Sequence, residues 1–314
     1  MSKRQLGRTG IAISPMVLGG NVFGWTADRA ASLEVLDRFI GAGLEAVDTA
    51  DVYSNWVPGN RGGESETIVG EWIESRKGRD RLVLITKVGF DMDRDGLSAA
   101  HIERAVEASL RRLRTDHVDV YFSHKPDPAT GHEETLKAHE KLIKAGKVRA
   151  IGASNFDADQ IRAALDVSAA KGLPRYEVIQ PRYNLYDRGD FDGPLRDLAI
   201  AEGLGVITYF SLAKGFLTGK YRSKADLGQS QRGDAVSAYL NDKGMRILAA
   251  LDDISAGHGI SPAEVALAWI IAQPGVTAPI ASATSATQVE SLIRATTLTL
   301  SAADIATLDQ LGGA

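Results

Sequence analysis

Ala46-Val47-Asp48-Thr49-Ala50-Asp51-Val52-Tyr53 is the stretch that decides how this chain is read. The apolar run Leu44 to Val47 suits a short buried strand; it ends on a carboxylate, and a tyrosine follows in the next turn of chain. Two further runs have the same form: Leu82-Val83-Leu84-Ile85-Thr86-Lys87, and Val118-Asp119-Val120-Tyr121-Phe122-Ser123-His124. Each is rich in β-branched or aromatic residues and each ends on a polar group. Asp48, Tyr53, Lys87 and His124 are thereby placed along successive strand ends, which are expected to converge on one site.

Working outward, the alternation continues in both directions. Arg4 to Leu6 and Ile11 to Ile13 flank Gly7-Arg8-Thr9-Gly10, a small hairpin ahead of the main fold. Met16-Val17-Leu18-Gly19-Gly20 is the first strand, and Asp28 caps a helix carrying Leu33, Leu36 and Ile40. Glu66 to Glu74 is helical, Ser98 caps a stripe of Ile102, Val106 and Leu110, and Gly146 stops the helix that carries Leu136 and Leu142. Val148 to Ala153, Tyr176 to Gln180, Gly205 to Tyr209 and Thr277 to Ala281 are further strands. Asp157, Ser261 (with Pro262 and Glu264), Ser285 and Ser301 mark helix starts.

The polar strand ends are Gly20, Asp48, Lys87, His124, Ser154, Gln180, Tyr209 and Ser282. Their spacing suits one strand–helix unit each, except that the last gap holds a long Gly-, Ser-, Asp- and Lys-rich insertion from about Ser211 to Lys243. Short apolar strands alternating with amphipathic helices indicate a parallel sheet covered by helices. Eight units in 314 residues point to a closed (β/α)8 TIM barrel of α/β class, a single domain over residues 1–314, with the hairpin closing the barrel bottom and a long loop after strand seven.

Composition narrows the classes of function. Hydrophobic residues make up 44% and charged residues 24%, as in ordinary soluble domains. A net charge of −4 gives no nucleic-acid footprint. The absence of cysteine excludes disulfides and thiolate metal sites, and the six histidines show no ligand spacing, so no metal is expected. The start lacks the apolar segment of a signal peptide, and no apolar run has the length of a membrane span. The expectation is a cytoplasmic protein, a monomer or homo-oligomer, with small-molecule partners and neither nucleic acid nor membrane.

With these residues in place, the chain resembles the aldo-keto reductases over nearly its whole length. The resemblance is carried by Leu6-Gly7-Arg8-Thr9-Gly10, Val47-Asp48-Thr49-Ala50-Asp51-Val52-Tyr53, Thr86-Lys87, His124, Ile151-Gly152-Ala153-Ser154-Asn155, Gln180-Pro181-Arg182-Tyr183-Asn184-Leu185 and Leu217-Thr218-Gly219-Lys220-Tyr221, in order. It implies reduction of aldehydes and ketones with NADPH, less often NADH. Tyr53 would be the general acid, Lys87 the ammonium that favours its phenolate, Asp48 the carboxylate that keeps Lys87 charged, and His124 a second donor to the carbonyl oxygen.

The same resemblance implies the cofactor residues. Ser154, Asn155 and Gln180 would contact the nicotinamide carboxamide, and Tyr209 would stack on the ring. Ser211, Leu212, Gly215, Leu217 and Lys220 would surround the pyrophosphate, and Ser282, Thr284 and Gln288 the adenosine end. Thr284 stands where NADPH-using relatives carry an arginine or lysine, so NADP is the default expectation and NAD a real alternative. Arg294 is the nearest cation and reads better as a surface salt bridge. Phe23, Trp25 and Trp56 suggest an aromatic substrate wall, and Lys125 sets a charge beside it where many relatives have an aromatic residue.

Taken singly, each residue has a plainer reading. Asp48 and Lys87 suit a structural ion pair, His124 a hydrogen-bonded strand-end histidine, Ser154 and Asn155 a helix cap, and Asp51 a solvated loop residue. Two other functions fit a barrel with these residues: a non-catalytic nucleotide-binding regulatory barrel, and a Schiff-base aldolase using Lys87. Asp48, which keeps a lysine charged, argues against the aldolase.

Overall fold

The structure, a computed structural model, describes residues 2–91 and 96–312. Two short antiparallel strands come first, β1 (Arg4–Gln5) and β2 (Ala12–Ile13). Then follow β3 (Val17–Gly19), β4 (Ala46–Asp48), β5 (Val83–Val88), β6 (Val118–Ser123), β7 (Val148–Ser154), β8 (Val178–Gln180), β9 (Gly205–Thr208) and β10 (Ala278–Ala281). Each pairs in parallel with the next, and β10 returns to pair with β3, closing a barrel of eight strands.

Strand parity explains why these runs are apolar on both faces. Val17, Ala46, Val83, Ile85, Val120, Phe122, Val178, Ile207 and Ala278 pack into the barrel interior. Leu18, Val47, Leu84, Tyr121, Ile151, Ile179 and Val206 face the helices. Gly152 is required inside, because a Cβ there would lie 2.5 Å from the Phe122 ring. Leu6, Ile11 and Ile13 of the hairpin join the interior cluster. Gly7, at φ +62, lies against the Glu177 carbonyl and the Gly205 amide where β8 and β9 begin. The hairpin thus closes the end of the barrel opposite Asp48 and Lys87.

The surrounding helices start largely where caps were expected. They are α1 (Arg29–Gly41), α2 (Glu64–Arg76), α3 (Ala99–Leu113), α4 (His132–Lys144), α5 (Ala158–Lys171) and α6 (Pro194–Glu202). Asp28 accepts from the Ala31 amide at 2.9 Å, and Asp157 and Gln160 form a reciprocal capping box. The long loop after β9, about 211–243, holds short 3-10 turns and α7 (Gly233–Val236), and a helix that the sequence reading did not place, α8 (Asp242–His258), follows it. Asn241 caps α8 through the Gly244 amide, and Ile247, Leu248 and Leu251 bury its inner face. Then come α9 (Pro262–Ala272), α10 (Ala286–Ala295) and α11 (Ala302–Gly312). Among the described residues no single helix is long and apolar enough to cross a membrane.

Two consequences follow for stability. Helices α2 and α3 cross at Gly70, where a Cβ would lie 2.0 Å from the Arg112 carbonyl oxygen. Alanine normally stabilises a helix interior by about 1 kcal/mol over glycine, but here overpacking costs about 1–3 kcal/mol. Gly70→Ala is therefore expected to lower the urea midpoint; an unchanged or raised midpoint would show that the crossing gives way without strain. Secondly, His139 is fully buried and burial pushes its imidazole down to about 4. The fold takes up this proton less readily than the unfolded chain, so stability is complete above about 6.5 and falls as pH drops toward 4, by about 3 kcal/mol in all. Denaturation across pH 4 to 7 should show a steeper fall in stability toward acid in the parent than in His139→Phe, and equal slopes would remove His139 as a source.

Candidate active site

Strand ends β4, β5 and β6 deliver three of the four expected residues, and a turn returns the fourth. Lys87 shares the inward parity of Val83 and Ile85 and so rises through the barrel axis, with none of its surface exposed. Its Nζ donates to Asp48 Oδ2 at 2.7 Å, to the Thr49 carbonyl at 2.8 Å and to the Tyr53 hydroxyl oxygen at 2.8 Å. All three ammonium hydrogens are thereby placed. Tyr53 donates its own hydrogen to Asp48 Oδ2 at 3.1 Å. Asp48 Oδ1 accepts from Gln180 Nε2 at 2.9 Å, across the barrel mouth.

The electrostatics set the protonation states. Burial pulls Lys87 down, and the Asp48 carboxylate opposes that fall. Burial and the Asp48 carboxylate hold the Tyr53 phenol well above its ordinary value, so it stays protonated through neutral pH. The net direction at rest is thus opposite to the phenolate-favouring effect expected of Lys87 alone. His124 follows β6, and its ring centroid lies 6.0 Å from that of Tyr53. Burial, then the Lys87 and Lys125 charges, press it well below its ordinary value, which leaves a neutral imidazole. Its Nδ1 is buried with no hydrogen-bond partner among the described residues. Asp51, read as a solvated loop residue, lies in the turn after β4 and is partly exposed; burial first and then the Glu66 carboxylate push its carboxyl up to about 7.

A cavity of about 1020 Å³ opens above these groups. Asp48, Tyr53 and His124 line it, whereas Lys87 is covered from it. Of the expected cofactor residues, Ser154, Asn155, Gln180, Tyr209, Ser211, Leu212, Gly215, Lys220, Ser282, Thr284 and Gln288 line the same cavity. Leu217 does not: it is fully buried in the core, within the 3-10 turn 213–218. Trp25 and Trp56 line the cavity edge to face, with centroids 5.5 Å apart. Phe23 does not: the 3-10 turn Gly20–Val22 after β3 directs it into the core.

Local structure explains several of these placements. Asn155 adopts φ +64, which suits asparagine, and its Nδ2 donates to the His124 carbonyl at 2.8 Å. Tyr209 donates to Asn155 Oδ1 at 2.6 Å, fixing the ring at the cavity wall. Ser154 donates to the Gln180 carbonyl at 2.9 Å. Neither Ser154 nor Asn155 caps α5, since Asp157 does that. After β9, three non-glycine residues, Phe210, Ala213 and Lys214, hold left-handed backbone at φ 53, 47 and 58, beside Gly215 at φ 102. Each costs about 1–2 kcal/mol, and such strain gathers where backbone is shaped to a ligand. Arg294 is committed to the buried Glu264 at 2.5 Å, as the salt-bridge reading held.

Asn21, Phe90 and Arg232 are among the lining residues that the sequence reading did not single out. Asn21 accepts from Ser282 at 2.7 Å. The Phe90 ring centroid sits 4.8 Å from that of His124 and 4.9 Å from Lys125 Nζ; Lys125 itself does not line the cavity. Arg232, from the insertion, lies 4.9 Å over the Trp25 ring, and its Nη2 is buried with no hydrogen-bond partner among the described residues. A lone arginine between serine, glutamine and glycine carries no sequence signal of this kind.

The family model described as Aldo/keto reductase family matches residues 15–312. The chain is 33% identical to the uncharacterized oxidoreductase YrpG of Bacillus subtilis, over 96% of this chain and 92% of that protein. It is 30% identical to the aldo-keto reductase YhdN of the same organism, over 94% and 87%. It is also 33% identical to a probable voltage-gated potassium channel subunit beta of Oryza sativa, over 92% and 89%. Match and barrel agree along almost the whole length, and the chain belongs to the aldo/keto reductase family.

Proposed function

We propose that this protein reduces aldehydes and ketones, or oxidises the corresponding alcohols, with NADP(H) as cofactor and Asp48, Tyr53, Lys87 and His124 as the reacting site. The observation that carries this reading is the Lys87 ammonium bonded to the Tyr53 oxygen at 2.8 Å while Tyr53 lines the cavity. A carbonyl oxygen entering the cavity competes with Asp48 for the Tyr53 hydrogen. The O–H bond of Tyr53 then breaks toward that oxygen as negative charge develops on it. Lys87 donates to the phenolic oxygen throughout, so the phenolate forms beside an ammonium, and solvent returns the proton afterwards. In the tautomer with its proton on Nε2, neutral His124 offers a second donor to the carbonyl oxygen.

The residues present fit a dinucleotide. When bound, the nicotinamide supplies the hydride. Tyr209 offers a flat ring, the strained segment 210–215 offers turned backbone, and Arg232 offers a guanidinium whose buried Nη2 awaits an acceptor. Arg232 also supplies a cation to the cavity that Thr284 does not. The aromatic pair Trp25 and Trp56, with Phe90, supports planar or aryl carbonyls as substrates.

A second reading is a nucleotide-binding regulatory barrel, favoured by the likeness to potassium channel beta subunits. Tight NADPH binding with negligible turnover over a broad carbonyl panel would select it. The Schiff-base reading finds no support at Lys87, whose three donors are all engaged.

Tyr53→Phe is expected to keep NADPH affinity and to lose about a hundredfold or more in kcat; parent-like reduction would remove Tyr53 as proton donor. Titration with NADPH and with NADH, followed by the fluorescence of the four tryptophans, should favour NADPH. Arg232→Ala should weaken binding by about tenfold or more. Loss for both cofactors assigns Arg232 to the pyrophosphate, loss for NADPH alone assigns it to the 2′-phosphate, and unchanged affinity for both excludes a cofactor role.

A further inference from the structure

Gln180 joins the two sides of the cavity. It ends β8, on the side of the barrel that carries Ser154 and Tyr209, and its side chain reaches Asp48 on the other. Gln180 and Asp48 are 2% and 1% exposed. Among the described residues Gln180 Nε2 is the one donor to Asp48 Oδ1, while Oδ2 takes both Lys87 and Tyr53. Gln180 Oε1 accepts no hydrogen bond from the described residues, and the side chain lines the cavity. A primary amide donates through nitrogen and accepts through oxygen, so it can hold a carboxylate with one end and a second carboxamide with the other.

We propose that Gln180 is a positioning residue for proton transfer. By holding Asp48 Oδ1 it commits Oδ2 to Lys87 and Tyr53. By offering Oε1 to a nicotinamide carboxamide it links the seating of the cofactor to the same carboxylate. This second half rests on the reductase reading. Terminal carboxylate torsions are broad and two-fold, so without the amide the Asp48 oxygens exchange roles and the Lys87–Tyr53 geometry loosens. A simple nicotinamide contact would leave the carboxylate indifferent to Gln180.

Gln180→Leu, Asp48→Ala and the double variant test this. In cofactor-free protein labelled with 15N-glutamine, the Gln180 side-chain amide is identified by its loss in Gln180→Leu. Its resonance should be shifted and slow in exchange with solvent, and Asp48→Ala should move it to the position of a solvated amide. Adding NADPH to the parent should move it again. At saturating NADPH and carbonyl, Gln180→Leu should lower kcat about tenfold, the cost of a bond to a charged group, with little change in the carbonyl KM. In the Asp48→Ala background the same change should alter kcat less than about twofold, because the two residues act as one unit. Gln180→Leu should weaken NADPH binding more in the parent than in Asp48→Ala, because the link to the cofactor runs through the carboxylate. An amide resonance indifferent to Asp48→Ala, or kcat losses that multiply, would overturn the proposal. If the parent binds no NADPH and reduces nothing, the reductase reading fails instead, and the cofactor-free amide resonance alone decides the Asp48 contact.

Discussion

A buried ammonium dictates the upper half of this barrel. Lys87 lies on the barrel axis with no solvent, and an uncompensated charge there would cost more than a typical fold has to spare. Its neighbours are therefore set by necessity: a carboxylate from the adjacent strand, a backbone carbonyl from the turn that follows, and a phenolic oxygen carried back by that turn. Asp48 is in turn too buried to stand on one partner, which brings in Gln180 from across the barrel. The contacts that neutralise the lysine also place a protonated tyrosine at the cavity wall.

The lower half obeys a different constraint. Strands apolar on both faces fill the interior with Val, Ile and Phe, and the hairpin residues Leu6, Ile11 and Ile13 seal the end away from the site. Buried charges at that end serve the frame: Asp119 accepts the Leu84 amide at 2.8 Å and pairs with Arg79 and Arg149. The division matches the usual one for parallel barrels, with rigidity at the strand starts and chemistry at the strand ends.

Residues placed by strand parity were legible in the sequence. Asp48, Lys87, His124, Ser154 and Gln180 each end an apolar run, so their location followed once the runs were recognised, and the (β/α)8 barrel with them. Residues placed by turns were legible only in part: Tyr53, Trp25 and Trp56 line the cavity, whereas Phe23 and Leu217 do not. Phe23 and Trp25 look equivalent in sequence, yet the 3-10 turn at Gly20–Val22 buries the first and presents the second. Leu217 sits in a segment whose left-handed residues reset the direction of every side chain after them. Helix α8 was hidden by polar composition at its start, although Asn241 and the Ile247, Leu248, Leu251 stripe announce it. Arg232 depends wholly on how the insertion folds back onto Trp25.

Burial moves the proton-bearing groups of the site in opposite directions. The phenol of Tyr53 is held high and the imidazole of His124 is held low, so neither changes state near neutrality. Asp51, in the turn between Asp48 and Tyr53, is the neighbour that does, at about 7. It lies within the field of Lys87, with Glu66 and Arg112 behind it. Of the three, Asp51 is therefore the group that a swing in acidity around neutrality reaches first, beside a tyrosine and a histidine that keep their protonation states.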